Sequence, residues 1–215
     1  MNKIRTKEII VSNHIITSEF IPFTDDVKKI TGKEGGFLNF PIIYKPVESG
    51  SSFGVEIIKN EDEFAGFIKK HSAAGGLKNG FFENFIEGKE VTAGVFSYEN
   101  KTYTLPILEI KSRNKFYDLE AKYTEGLTEL IIPTKIPNET RYNLEKIAQK
   151  IYGVFNFRNT VRMDFIISGD NVPYFLEINT QPGMTKTSDI PFMVKNTNLQ
   201  LEEFILINLY QVMKK

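Results

Sequence analysis

Arg162, Asp164, Glu177 and Asn179 have the types and spacing to hold a hard cation beside an anion. Side chains alternate along an extended strand, so Arg162 and Asp164 share one face of a run over 161–167, and Glu177 and Asn179 share one face of a run over 172–178 and its exit. The apolar residues between them, Val161, Met163, Leu176 and Ile178, fill the other face. A hairpin turned at 168–171, a Ser-Gly-Asp-Asn segment, brings Asp164 close to Glu177. Magnesium takes one or two carboxylates and completes its shell with water and phosphate oxygens, so this pairing reads as a magnesium site in a phosphoryl-transfer centre. A solvated sheet face carrying two carboxylates has the same pattern. The loop that leaves the strand, N-T-Q-P-G-M-T at 179–185, could offer backbone amides to a developing oxyanion.

Two more groups carry chemistry. Lys45 ends an apolar run over 40–47 and precedes a Gly/Ser loop over 48–54, where a fixed cation and close backbone amides suit phosphate oxygens; a flexible surface linker reads the same way. The run over 82–90, F-E-N-F-I-E-G-K-E, offers a strand edge for a base and a carboxylate for ribose hydroxyls. No G-x-G-x-x-G occurs, and Phe81 and Phe82 stand where a P-loop beginning at Gly75 needs Lys and Ser/Thr, so neither common mononucleotide motif applies.

These residues need elements to hold them. The alternation and turn signals predict a short helix over 4–11, a strand over 14–17, a turn at Pro22, a helix over 24–30, strands over 40–47 and 55–58, a helix capped by Asn60 with Phe64, Phe67, Ile68 and His71 on one face, and a strand over 81–86. A hairpin over 91–98 and 102–110, a long basic loop over 111–137 with one short strand over 130–132, a helix over 140–154, the metal-site hairpin and a helix over 199–212 follow. This is an α+β pattern.

Composition sets the outer limits. The 215 residues carry 27 Lys plus Arg against 27 Asp plus Glu, so no net field draws nucleic acid or an anionic membrane. Cysteine is absent, which removes disulfides, a thiolate nucleophile and a cysteine zinc site. The two histidines, His14 and His71, are far apart and read as surface residues. No apolar run approaches the roughly 18 residues of a membrane span, and the N-terminus lacks a signal-peptide pattern, so the expectation is a cytoplasmic protein.

Taken in order, six blocks resemble the D-alanine:D-alanine ligases of the ATP-grasp superfamily: N-K-I-R-T-K at 2–7, Lys45-Pro46 with G-S-S-F-G at 50–54, the segment 83–90, F-Y-D-L-E-A-K-Y at 116–123, R-M-D at 162–164, and 177–185 with Ser188. The resemblance implies two lobes with antiparallel or mixed sheets sandwiching ATP, a first subdomain over 1–87 and a second over 88–215 with a mobile loop over 111–137. It implies ATP and Mg2+ (or Mn2+) as cofactors and D-alanine as a small-molecule substrate, without nucleic acid or membrane. Lys3, Lys45 and Lys122 then look like the lysines at the ATP phosphates, with Ser52 in the glycine-rich lid. Glu83, Asn84, Phe85, Ile86, Phe116 and Leu176 resemble the surroundings of adenine, and Glu90 the ribose ligand. Asp164, Glu177 and Asn179 resemble the metal ligands. Arg162 and the Gly183 amide resemble the groups at the acyl-phosphate and tetrahedral species, while Tyr123, Ser51 and Ser188 resemble residues that orient the amino acids. The family has a further N-terminal domain not seen in these residues, so a partner subunit supplying it, or a homo-oligomer, belongs to the expectation. Asp189 departs from the pattern, standing where the family usually has an apolar or aromatic residue.

Overall fold

Helix α1 (Lys3–Ser12) starts where the Asn2 side chain accepts the Arg5 N–H at 2.9 Å, one of the orphan donors of a first turn. It turns Thr6, Lys7 and Ile10 inward. The structure, a computed structural model, describes residues 2–24, 26, 29–31, 37–50, 53–73, 79–112 and 128–213.

Two antiparallel sheets follow. The first contains β1 (Phe20–Pro22), β2 (Ile42–Pro46), β3 (Glu56–Ile58) and β4 (Gly80–Asn84) in the order β1-β4-β2-β3. Helix α2 (Glu61–Ala73) covers one face. Asn60 accepts the Glu63 N–H at 2.9 Å while Glu63 accepts the Lys59 N–H at 2.9 Å, a reciprocal cap, and Phe64 and Phe67 pack on Ile42, Tyr44, Ile58 and Phe82.

The second sheet contains β5 (Gly88–Tyr98), β6 (Lys101–Thr104), β7 (Leu108–Ser112), β8 (Thr128–Ile131), β9 (Val161–Ser168) and β10 (Pro173–Asn179). Its order is β10-β9-β5-β7-β8, with β6 also on β5. Glu99 and Asn100, at φ 48° and 63°, make the tight β5–β6 turn whose twist suits a hairpin. Helix α3 (Asn138–Val154) packs Leu144, Ala148 and Ile151 against Val91, Ala93, Val95, Met163 and Phe165 on one face. On the other, α4 (Asp189–Lys195) and α5 (Leu201–Met213) bring Ile190, Met193, Val194 and Phe204 onto Phe96, Leu105 and Leu108. Gly94 makes that close approach feasible, since a Cβ there would meet Ile190 Cδ1 at 2.8 Å and Leu105 Cδ1 at 2.9 Å.

The α+β class expected from the sequence is the one that forms, and several elements differ in detail. Residues 14–17 contribute a single bridge, Thr17 to Phe175, and the strand begins later, carrying Pro22 at its end, where a missing N–H costs nothing. The helix expected over 24–30 falls partly on residues outside the described ones; of the rest, Lys29 N–H donates to Asp26 O at 3.1 Å. The strand expected over 102–110 is split into β6 and β7 around Leu105, Pro106 and Ile107, because proline has no N–H for the ladder. Lys111, Ser112, Thr128 and Glu129, read as parts of a loop, are paired strand residues of β7 and β8, and the short strand expected over 130–132 forms as the end of β8, at Leu130 and Ile131; 113–127 lie outside the described residues. Helix α4 was not expected. His14 is exposed, as read, but His71 is half-buried, 3.0 Å from Glu56 Oε1 and with its ring 4.4 Å from that of Phe67. Among the described residues no helix is long and apolar enough to cross a membrane.

Candidate nucleotide and metal site

A cleft opens between the two sheets. Lys45 from β2 and Glu83 from β4 line one side, Glu90 from β5, Asp164 from β9 and Glu177 from β10 line the other, and Lys3 from α1 closes an end. The β4–β5 connection adds Asn84, Phe85 and Ile86, and Leu176 faces them from β10.

The second sheet delivers its carboxylates through an irregularity. From Pro173 to Phe175 the β10 residues pair regularly with Ile167 to Phe165, and continued pairing would set Leu176 opposite Asp164 and turn Glu177 toward the core. A bulge between Phe175 and Glu177 instead sets Glu177 opposite Asp164 and Asn179 opposite Arg162. Phe175 and Ile178 remain in the core, at 0% and 2% exposure, while Leu176 and Glu177 both line the cleft. Alternation counted back from Glu177 puts Leu176 in the core; because the bulge breaks that count between Phe175 and Glu177, Leu176 and Glu177 come to the cleft together.

Arg162 and Asp164 are both buried. Arg162 grips Asp164 through Nε–H to Oδ1 and Nη2–H to Oδ2, each 3.0 Å, and donates from Nη1 to Asp189 Oδ2 at 2.7 Å. Thr92 donates to Asp164 Oδ1 at 2.6 Å. Burial would ease the proton off Arg162, but Asp164 and Asp189, with Glu177 beyond, hold its pKa above the ordinary value. The loop after β10 folds back beside this cluster. Ser188, at the N-terminus of α4, meets Thr185 Oγ1 at 2.8 Å and sits so close to Gly183 that a Cβ there would fall 2.6 Å from its Oγ.

On the first sheet, Glu83 is 1% exposed and pairs with Lys7 Nζ at 2.8 Å, with Lys45 Nζ, and with the Ser18 hydroxyl, which donates at 2.9 Å. Burial opposes ionisation of Glu83, yet Lys45 and Lys7 overcome it and hold its pKa at about 2. Burial likewise disfavours the Lys45 ammonium, and Glu83, Glu177 and Glu90 outweigh that and raise it. Lys3 donates to the Ser49 carbonyl and is lowered by burial against the opposing pull of Glu177.

Lys3, Lys45, Glu83, Asn84, Phe85, Ile86, Glu90, Asp164, Leu176 and Glu177 thus meet in one cleft. Arg162, Asn179, Gly183 and Ser188 adjoin it at the end of β9 and β10. Ser51, Ser52, Phe116, Lys122 and Tyr123 lie outside the described residues. The sequence reading assigned no role to Lys7, Ser18 or Thr92 and treated Asp189 only as a departure. A signal existed for Lys7, which falls one helical turn after Lys3 and on the inward face with Ile10.

The donor set fits a hard cation of the magnesium kind. Among the described residues no three His, Cys, Asp or Glu side chains converge as a metal cage. Two facing carboxylates with the Asn179 amide oxygen beside them leave the rest of the shell to water and phosphate, as magnesium prefers.

Paired antiparallel sheets closing on such a cleft define the ATP-grasp fold. A family model described as "D-ala D-ala ligase C-terminus" matches residues 10–209, and the chain belongs to that family. It is 37% identical over 210 residues to a D-alanine--D-alanine ligase of Carboxydothermus hydrogenoformans, covering 95% of this chain and 66% of that protein. A solved D-alanine--D-alanine ligase of Bacillus anthracis superposes with a TM-score of 0.77 at 25% identity, covering 99% of this chain and 67% of that one. The VanG D-Ala:D-Ser ligase of Enterococcus faecalis superposes at 0.81 and 24% identity over 98% of this chain and 61% of that one, a likeness of fold. The chain therefore spans about two thirds of the length of these proteins.

Proposed function

We propose that the cleft binds ATP with magnesium and transfers its terminal phosphoryl group to the carboxylate of D-alanine, after which the amine of a second D-alanine displaces phosphate to give the dipeptide. The observation that carries this reading is the meeting of Lys3, Lys45, Glu90, Asp164 and Glu177 in one cleft between two sheets. In it, Phe85, Ile86 and Leu176 flank the base, Glu90 accepts the ribose hydroxyls, and Lys3 and Lys45 lie along the phosphates. Asp164, Glu177 and Asn179 would hold the metal, which neutralises phosphate charge when bound.

The remaining steps belong to the chain's own groups. A carboxylate oxygen of the first amino acid attacks the terminal phosphorus and ADP leaves. The second amine, as the free base, then attacks the acyl carbon, a tetrahedral oxyanion forms, and phosphate departs with the electron pair of the broken C–O bond and takes up the proton that the nitrogen gives up. Beyond its three bonds to Asp164 and Asp189, each terminal nitrogen of Arg162 carries a second hydrogen, and with the Gly183 N–H these are the donors for the oxyanion. Oriented donors of this kind stabilise a transition state because they need no reorganisation as charge develops.

On this reading the protein is a cytoplasmic enzyme of peptidoglycan precursor synthesis. Product analysis after incubation with ATP, magnesium and D-alanine tests it, with D-serine and D-lactate offered as alternative acceptors. D-alanyl-D-alanine is the expected product. A product only with another acceptor would move the substrate and keep the chemistry, whereas ATP binding without phosphate release would leave a nucleotide-binding module.

A further inference from the structure

Lys7 is a fully buried lysine that does not line the cleft, yet it is joined to a cleft residue by a short ion pair. Its side chain is 1% exposed, and Nζ lies 2.8 Å from Glu83 Oε2 and within hydrogen-bond reach of the Thr17 and Ser18 hydroxyls. Burying an ammonium is costly unless it is paired and hydrogen-bonded, and Lys7 is both. Thr17 in turn donates to the Phe175 carbonyl at 2.7 Å, at the bridge where the N-terminal segment touches β10. A continuous polar path therefore runs from the second sheet through Thr17, Lys7 and Glu83 to Lys45, which has 16% of its side chain exposed at the cleft.

The charges on this path do not cancel. Lys7 and Lys45 bring two positive charges to the single negative charge of Glu83, each lysine on a different carboxylate oxygen. With Lys45 alone, Glu83 would neutralise it within a buried pair and leave little field for an anion. Burial lowers the Lys7 pKa and Glu83 opposes that shift; with the ammonium held by Glu83 and two hydroxyls, one unit of positive charge is left over, and Lys45 is the cation of the triad that lines the cleft.

We propose that Lys7 is a positioning residue of the nucleotide site: through Glu83 it keeps Lys45 electropositive toward the phosphates, so it sets affinity according to how many phosphates the ligand carries while touching none of them. This rests on the reading of the cleft as a nucleotide site. A purely structural Lys7 would affect folding and would move all ligands alike.

The test is calorimetric titration of adenosine, ADP and ATP, with magnesium, into the wild-type chain, Lys7→Met, Glu83→Gln and the double variant. Lys7→Met takes the triad from one net positive charge to none, and the ATP Kd should rise on the order of ten-fold, ADP less, adenosine not at all. Glu83→Gln leaves two positive charges and should shift ATP affinity the other way. The double variant returns the net charge to one with neutral groups of similar shape, and should recover most of the ATP affinity lost in Lys7→Met. If Lys7→Met does not fold, Glu83→Gln carries the comparison: tighter ATP binding with adenosine affinity unchanged is the supporting result, and ATP and adenosine shifted alike overturns the inference. Equal weakening for all three ligands, or a double variant no better than Lys7→Met, overturns the inference. A wild-type chain that binds neither ATP nor adenosine overturns the nucleotide reading and the inference together; binding that the variants leave unchanged overturns the inference alone.

Discussion

Replacing Arg162 by methionine keeps much of the side-chain volume and removes the guanidinium that two buried carboxylates share. Asp164 and Asp189 are 7% and 4% exposed, and the arginine meets them with bonds of 3.0, 3.0 and 2.7 Å. Breaking a buried ion pair from one side costs about 3 to 5 kcal/mol, because the partner is left charged and unsolvated. At roughly 2 to 4 °C per kcal/mol for a chain of this size, the melting temperature should fall by about 6 to 20 °C. Asp189→Asn removes one charge while Asp164 retains its two-point grip, so its cost should be nearer 1.5 to 3 kcal/mol, on the order of one charge-assisted hydrogen bond. The chain has no Trp, so urea unfolding is best followed by circular dichroism at about 222 nm with the linear extrapolation. An Arg162→Met variant within about 1 kcal/mol of wild type, or one less destabilised than Asp189→Asn, would refute the claim that the arginine holds two buried carboxylates together.

Three further outcomes are expected. Glu177→Ala should abolish the magnesium dependence of ATP binding in calorimetry while changing stability by no more than about 0.5 kcal/mol, since Glu177 is half-buried at the cleft. Glu83 has a folded pKa of about 2 against an ordinary 4.5, so its ionisation stabilises the fold above about pH 4.5 and that contribution fades as pH falls toward about 2; Glu83→Gln should flatten the urea stability profile within that window. Gly94→Ala should cost about 1 to 3 kcal/mol in urea unfolding, because its Cβ would push Ile190 and Leu105 aside and lift α4, and with it Asp189, from the sheet.

Which parts were legible in the sequence follows from the range of the signals. Strand alternation placed Arg162 beside Asp164 and identified the β9–β10 hairpin, because period two is local and strong in that stretch. The opposition of Asp164 and Glu177 was expected from the turn, but it is produced by the bulge at Leu176, which no residue type announces. Lys7 received no role from the sequence, since its burial depends on Glu83, 76 positions along the chain, and on the Thr17 bridge to Phe175. Asp189 was visible as an oddity and not as a partner, because α4 has only seven residues and too little periodicity to foretell its seat over Gly94. Leu176, which alternation had placed in the core and the resemblance had set among the cofactor-binding residues, lines the cleft.

Isotope transfer tests the central claim most directly. The chain would be incubated with ATP, magnesium and D-alanine labelled with 18O in its carboxylate, and the released phosphate analysed by mass spectrometry. Attack by the carboxylate on the terminal phosphorus predicts one 18O in the phosphate, carried over when the C–O bond of the acyl phosphate breaks. Phosphate whose new oxygen comes only from water, with D-alanine keeping its label, would mean simple ATP hydrolysis and would contradict carboxylate activation in this cleft.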